Sequence, residues 1–122
     1  MLFRSEKLWP EHLAGHKLLT NRSIWRTFPT VRCRTWRYKN LVLVGDAAHT
    51  AHFSIGSGTK LAMEDAIALA AAVVAEPKDV GKALEVYEKA RYVDVAKTQR
   101  AAQTSLEWFE NSARYLKQSP TQ

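Results

Sequence analysis

Four consecutive apolar residues, Leu41-Val42-Leu43-Val44, run directly into Gly45-Asp46. A short unbroken apolar run that stops at a glycine has the pattern of a strand buried on both faces of a sheet. In an open α/β sheet, ligands sit beyond the carboxyl ends of the strands, which is where this order of residues puts Asp46. A carboxylate there can accept hydrogen bonds from sugar-like hydroxyls. Gly45 permits a tight turn off the strand, and Gly56 and Gly58 permit a ligand to approach the backbone closely.

An alanine-rich helix is expected to begin near Gly58 or Thr59, with Leu61, Ala62, Asp65, Ala66, Leu69, Ala70 and Val73 at three- and four-residue steps. Pro77 ends it, giving a length of about 25 Å. The first amides of such a helix lack intrahelical partners, and its dipole is positive there. That end can hold an anion, or a ring that becomes anionic on reduction, as a flavin does at its pyrimidine edge. A second helix is expected from Asp79 as N-cap, with Val80, Ala83, Leu84, Tyr87 and Ala90 as its apolar stripe and a weaker pattern continuing to Arg100. Thr104 and Glu107 have capping-box spacing, which predicts either a third helix running to about Lys117 or one long bent helix. Ser119 to Gln122 reads as a frayed tail.

Upstream, residues 5–15 are a weak helical pattern with Ser5 as cap and Pro10 awkwardly inside it. His12 and His16 read as ordinary polar residues. Residues 24–31 are β-rich but interrupted by Pro29, which predicts an edge or broken strand, and residues 35–40 predict a polar turn. The expected fold class is therefore an α/β fragment, mainly α, with one or two strands followed by two or three long helices. It divides into a basic, β-rich segment at 1–40, a strand-loop-helix at 41–76 and C-terminal helices at 79–118, all within one truncated domain at 1–122.

The 122 residues suffice for one modest core, and 46% hydrophobic against 25% charged residues argues for a globular chain rather than a disordered one. No apolar run approaches the length needed to span a bilayer, and Met1 to Arg4 turn polar too soon for a secretory signal. A cytoplasmic location is the resulting expectation. Cys33, the single cysteine, reads as a buried, inert thiol. The net charge of +6 is partly concentrated in Arg22, Arg26, Arg32, Arg34, Arg37 and Lys39, interleaved with Trp25, Trp36 and Tyr38. Such a stretch can hold a polyanion, although no nucleic-acid motif accompanies it.

Several motifs can be set aside. Gly56-Ser57-Gly58-Thr59-Lys60 has neither the glycine spacing nor the Lys-Thr order of a P-loop, and Leu61 stands where a dinucleotide motif needs its third glycine. His49 and His52 fall short of the three or four ligands of a metal site. No nucleophile elbow surrounds Ser54, so a hydrolase built on Ser54, His49 and Asp46 is excluded.

Gly45-Asp46-Ala47-Ala48-His49, then Gly56-x-Gly58, then Glu64-Asp65-Ala66-x-x-Leu69-Ala70 resembles the C-terminal Gly-Asp motif of the class A flavoprotein monooxygenases, relatives of p-hydroxybenzoate hydroxylase. The stretch from His49 to Lys60 is similar, more narrowly, to salicylyl-CoA 5-hydroxylases and 2-aminobenzoyl-CoA monooxygenases, with violacein-pathway hydroxylases more distant. The resemblance runs from about Gly15 to Glu110. It implies the C-terminal part of a Rossmann-like FAD/NAD(P)-binding domain, and an enzyme that uses FAD, NAD(P)H and O₂ to hydroxylate an aromatic or aryl-CoA substrate. It also implies that Gly45 and Asp46 hold the ribityl chain and that the backbone of Gly56, Ser57, Gly58, Thr59 and Lys60 lies against the pyrimidine edge. His52, Phe53 and Ser54 would stand beside the flavin near the substrate. His52-Phe53 replaces the proline usual in that loop, and Lys60 replaces an Asn. The family's GxGxxG and its mid-chain Asp-Gly motif have no counterpart here, so the resemblance implies a chain that does not catalyse or retain FAD alone. Two other readings stay open: a basic module binding coenzyme A or nucleic acid through residues 22–39, and self-association through exposed strand edges or swapping.

Overall fold

The computed structural model describes residues 6–19, 24, 26–116 and 118–119. The Ser5 cap, Arg22, Trp25, Lys117 and the last three residues of the expected tail lie outside them. Residues 6–8 are helical, the helix stops at Trp9, and Pro10 opens a separate four-residue turn, α1 (Pro10–Leu13). Proline is thus accommodated at a helix start, where its missing N–H is no loss, rather than inside one helix over 5–15.

The sheet is a two-stranded antiparallel hairpin, β1 (Arg37–Tyr38) and β2 (Leu41–Val42), with Arg37 opposite Val42 and Tyr38 opposite Leu41. Lys39, at φ +52°, makes the turn. The expected strand at 24–31 does not form: residues 24 and 26–31 are irregular. Among the described residues, extended pairing is confined to a single Arg32–His49 bridge, flanked by Cys33 N to Ala48 O at 3.1 Å and Thr50 N to Val31 O at 3.1 Å. The run 41–44 is also not buried on both faces. Val42 and Val44 pack against the core, whereas Leu41 is 66% exposed and Leu43 36%. A hairpin this small covers one face only, so the residues alternate in and out with the strand's two-residue period.

Two long helices make up most of the structure, α2 (Gly58–Ala75) and α3 (Val80–Glu110), packed against each other. α2 starts at Gly58 as expected and ends before Pro77. Its inward face is Leu61, Asp65 and Ala72, with half-buried Ala62, Ala68 and Leu69; Ala66, Ala70 and Val73 face outward. Asp79 caps α3, its Oδ1 accepting from Lys82 N at 2.9 Å. α3 then runs unbroken for 31 residues, about 46 Å. The capping box at Thr104 starts no third helix. Thr104 Oγ1 donates to Arg100 O at 3.1 Å, and Glu107 accepts from Gln103 Nε2. Both are ordinary contacts of a helix interior.

Trp36, 2% exposed, fills the space between hairpin and helices, with ring centroids 4.9 Å from His49, 5.6 Å from Tyr92 and 6.0 Å from Tyr87. Glu88 of α3 fixes the hairpin, accepting from Trp36 N at 2.6 Å and Arg37 Nε at 3.1 Å. Tyr87 donates to Leu43 O at 3.2 Å, and burial first, then the nearby Asp65 charge, pushes its phenol pKa upward. Cys33 is half-buried rather than buried, with its thiol 3.6 Å from Ala47 O. No helix among the described residues is long and apolar enough to cross a membrane.

The centre of the structure is polar. Asp65, fully buried on α2, accepts from Gly45 N at 3.0 Å, His49 Nε2 at 2.6 Å and Arg91 Nε at 2.9 Å. Arg91 reaches on to Glu64 at 2.9 Å. Gly45 sits at φ +59°, where a Cβ would stand 3.0 Å from Ala62 Cβ. Both the turn and the closeness of α2 therefore require glycine.

Two predictions follow from this centre. Asp65→Ala leaves His49 Nε2, Gly45 N and Arg91 Nε without their acceptor, Arg91 keeping only Glu64, and is expected to cost about 3–5 kcal/mol; an unchanged urea midpoint would contradict the role given to Asp65. Gly45→Ala combines left-handed strain, worth roughly 1–2 kcal/mol, with the clash on Ala62. Adding Ala62→Gly is expected to restore only the steric part, and full restoration in thermal unfolding would show that the backbone angle carries no cost.

Candidate functional site

The strand end, the loop after it and the start of α2 enclose an open cavity of about 680 Å³. Gly45–Ala47 form one turn of 3-10 helix off the strand, and Gly45 O accepts from both Ala48 N and His49 N at 2.9 Å. Held by Asp65 from behind, this turn presents Asp46 outward. Asp46 lines the cavity, is exposed, and meets no hydrogen-bond or ion-pair partner among the described residues.

Gly56, Gly58, Thr59 and Ala62 line the same cavity as Asp46. Gly56 ends the short turn Phe53–Ile55 at φ +64°, a backbone requirement. Gly58 is different. Its φ is ordinary, and a Cβ built on it meets nothing within 4 Å. Nothing inside the chain demands glycine there, although glycine costs a helix roughly 0.5–1 kcal/mol relative to alanine. Ser57, the N-cap, forms no capping bond; its hydroxyl donates to Ile55 O at 3.4 Å. No acidic residue occupies the first turn. The positive end of α2 thus opens onto the cavity with bare backbone and no carboxylate of its own helix turn to neutralise it.

The remaining walls are aromatic and clamped. Phe53 packs edge-on to Phe28 at 5.2 Å, and His52 lies 4.3 Å from Phe53. His52 Nδ1 accepts from Ser54 N at 3.2 Å, which fixes the ring. Thr50 Oγ1 accepts from Val31 N at 2.7 Å and donates to Pro29 O at 3.1 Å. Gln99 of α3 donates through Nε2 to both Val31 O and Thr50 O at 2.8 Å.

Of the residues singled out from the sequence, Asp46, Gly56, Gly58, Thr59, His52 and Phe53 line one cavity. Gly45 lies behind it. Ser57 and Lys60 do not line it; Lys60 is ion-paired with Glu64, which holds the Glu64 carboxyl below its usual pKa. Ser54 is committed elsewhere, donating from Oγ to Ala102 O at 3.2 Å. His49 is committed to Asp65, so neither histidine pair nor triad assembles with Asp46 or Ser54. Among the described residues no cluster of three or more His, Cys, Asp or Glu could hold a metal ion. Sequence reasoning missed Thr50, Gln99, Phe28 and the pairing of Asp65 with Arg91. The one available signal was the four-residue step from Tyr87 through Arg91 and Val95 to Gln99, which a search for apolar residues alone passes over.

The basic stretch is only partly a surface. Arg26, Arg32 and Arg34 are exposed, but Arg37 is paired with Glu85 and Glu88, and Trp36 is in the core.

The sequence pattern of the family described as FAD binding domain matches residues 8–102. Salicyloyl-CoA 5-hydroxylase from a Streptomyces species is 48% identical over 96% of this chain and 23% of its own length. The 3-hydroxy-4-methyl-anthranilyl-[aryl-carrier protein] 5-monooxygenase of Streptosporangium sibiricum is 54% identical over 80% of this chain and 27% of its own. Protodeoxyviolaceinate monooxygenase of Chromobacterium violaceum is 35% identical over 85% and 28%. The chain therefore spans about a quarter of the length of these curated relatives. No solved structure matches at a significant level. With most of its length matched, the chain belongs to the FAD binding domain family, among the flavin-dependent aromatic monooxygenases.

Proposed function

We propose that this chain forms the ribityl and pyrimidine side of the flavin site in a monooxygenase acting on an aromatic ring, one carried as a thioester of coenzyme A or a carrier protein. The observation that carries the reading is that one cavity is lined both by Asp46, which has no partner among the described residues, and by the bare glycine start of α2. In this reading β2, the turn after it and α2 are the C-terminal part of a Rossmann-like FAD/NAD(P)-binding domain. The exposure of Leu41, Met63 and Ile67 supports further elements packing there in a larger protein.

Bound FAD, reduced by NAD(P)H, would supply the activation of O₂. The residues of this chain have the tasks of holding and shielding. Asp46 accepts hydrogen bonds from ribityl hydroxyls. The amides of Gly58 and Thr59, at the positive end of α2, favour negative charge at the pyrimidine edge. Phe28, Phe53 and His52 give an apolar wall that keeps water from the ring and orients a flat substrate. The replacement of the usual proline by His52-Phe53 places an aromatic pair in that wall, which suits a substrate ring approaching edge-on or stacked.

Only half of the cofactor has partners here, and this gives the test. The purified chain is expected to carry no flavin absorbance band. In fluorescence titration, riboflavin, FMN and FAD are expected to bind weakly and equally, within about threefold, because the adenine half adds no contact. Asp46→Ala is expected to weaken all three roughly tenfold, the loss of charge-assisted hydrogen bonds. Binding of FAD far tighter than riboflavin, or indifference to Asp46→Ala, would refute the assignment.

A further inference from the structure

The polar side chains that line the flavin cavity are Asp46, Thr50, His52 and Thr59. Asp46 is the acceptor given to the ribityl chain. Thr50 Oγ1 is spent both ways, accepting from Val31 N and donating to Pro29 O. Thr59 belongs to the first turn of α2, on the side given to the pyrimidine edge. His52 is left, and its neighbours fix what it can do.

His52 caps the turn Phe53–Ile55, its Nδ1 accepting from Ser54 N at 3.2 Å. A backbone amide can only donate, so Nδ1 presents a lone pair. In a neutral imidazole whose Nδ1 accepts, the proton sits on Nε2, which is then a donor. An imidazolium, a donor at both nitrogens, could not make this bond. Nε2 meets no partner among the described residues, and none of their side-chain nitrogens or oxygens is both fully enclosed and unpaired, so Nε2 reaches open space. The same ring is tilted 33° against Phe53, which is 66% exposed. A fixed N–H donor therefore stands at the edge of an aromatic face, both on the wall of one cavity.

A flat ring bearing an acceptor oxygen is the complement of that pair. We propose that His52 is the specificity-determining residue of this site, its Nε2–H donating to the acyl oxygen beside the substrate ring while the ring packs on Phe53. The proposal rests on the flavin reading, which makes this cavity the one the substrate ring enters. The neutrality of the donor suits the chemistry. Hydroxylation requires the ring to give electrons to oxygen, and a cation on the acyl oxygen would draw them away, whereas a neutral N–H holds that oxygen with less withdrawal. Nε2 already carries its proton, so the ring does not serve there as a general base. Its task is placement.

Two variants separate the cap from the donor. His52→Asn keeps an oxygen within reach of Ser54 N, since asparagine is a good N-cap, but has nothing at the Nε2 position. His52→Gln carries an amide donor out to that position. With riboflavin saturating, acetophenone and its isostere α-methylstyrene, which lacks the oxygen, are titrated into the chain and followed by NMR. Acetophenone is expected to bind roughly fivefold tighter, the worth of one neutral hydrogen bond. The preference is expected to vanish in His52→Asn at an unchanged unfolding midpoint and to be partly kept by His52→Gln. A preference retained by His52→Asn, or absent from the unaltered chain while riboflavin binds, overturns the proposal and leaves the flavin reading standing. Long-range proton–nitrogen spectra of the free chain need no ligand, and they decide the matter even where His52→Asn loosens the turn: Nδ1 of His52 is expected bare and Nε2 protonated, and the reverse overturns the proposal. A chain that binds no riboflavin fails both readings.

Discussion

The arrangement of the candidate site depends on one buried carboxylate. Asp65 is fully enclosed and would be costly there alone, because removing an ion from water is repaid only by excellent pairing. It has that pairing: a backbone amide from the turn, a ring nitrogen from the loop and a guanidinium from α3. Each donor belongs to a different segment, so a single side chain sets the register of three elements. A hydrophobic cluster of the same volume would hold them about as strongly. It would not specify which residue of α3 stands behind the turn, and it would leave Gly45 N, buried against α2, without an acceptor.

That specification explains what the sequence disclosed and what it did not. Local chemistry was legible: the glycine turn at Gly45, the open start of α2 at Gly58, its stop before Pro77 and the Asp79 cap all follow from residues acting on their immediate neighbours. The errors arose where a partner decides. Leu41 to Val44 has the pattern of a doubly buried strand, but a strand can be buried twice only if something lies on both sides, and here only the hairpin and one helix layer do. The described residues of the 24–31 stretch have β-forming side chains without a neighbour to pair with beyond Val31. Thr104 and Glu107 have the right spacing for a cap, yet no glycine or proline stands between Gly81 and Pro120 to end the helix before them.

The candidate site divides the same way. Asp46 and the glycines could be placed from the sequence because a strand end and a helix start are local events. Arg91 and Gln99 could not, because they are polar residues on an apolar stripe, and their burial makes sense only once Asp65 and the Val31–Thr50 pairing are known to lie opposite. Polar residues at core spacing are the trace that long-range pairing leaves in a sequence. Here they mark the two points where α3 fixes the walls of the cavity.

The two long helices begin in opposite ways, and the contrast bears on function. α3 starts conventionally: Asp79 satisfies the amide of Lys82, and a missing cap of this kind costs a protein about 1 kcal/mol. α2 begins after a long connection, residues 43–57 with two 3-10 turns, with Ser57 forming no capping bond and glycine in the first helical position. The same chain can therefore cap a helix well and does not do so at this one. The deficit is small against the Asp65 network that holds α2 in place from its second turn onward. A helix start left bare, kept rigid from behind and sharing a cavity with a carboxylate that has no partner among the described residues stores unused hydrogen-bonding capacity at one point of the surface. A ligand with hydroxyls on one side and a charge-accepting edge on the other recovers that capacity from both walls at once, which a bound water or a simple anion cannot do.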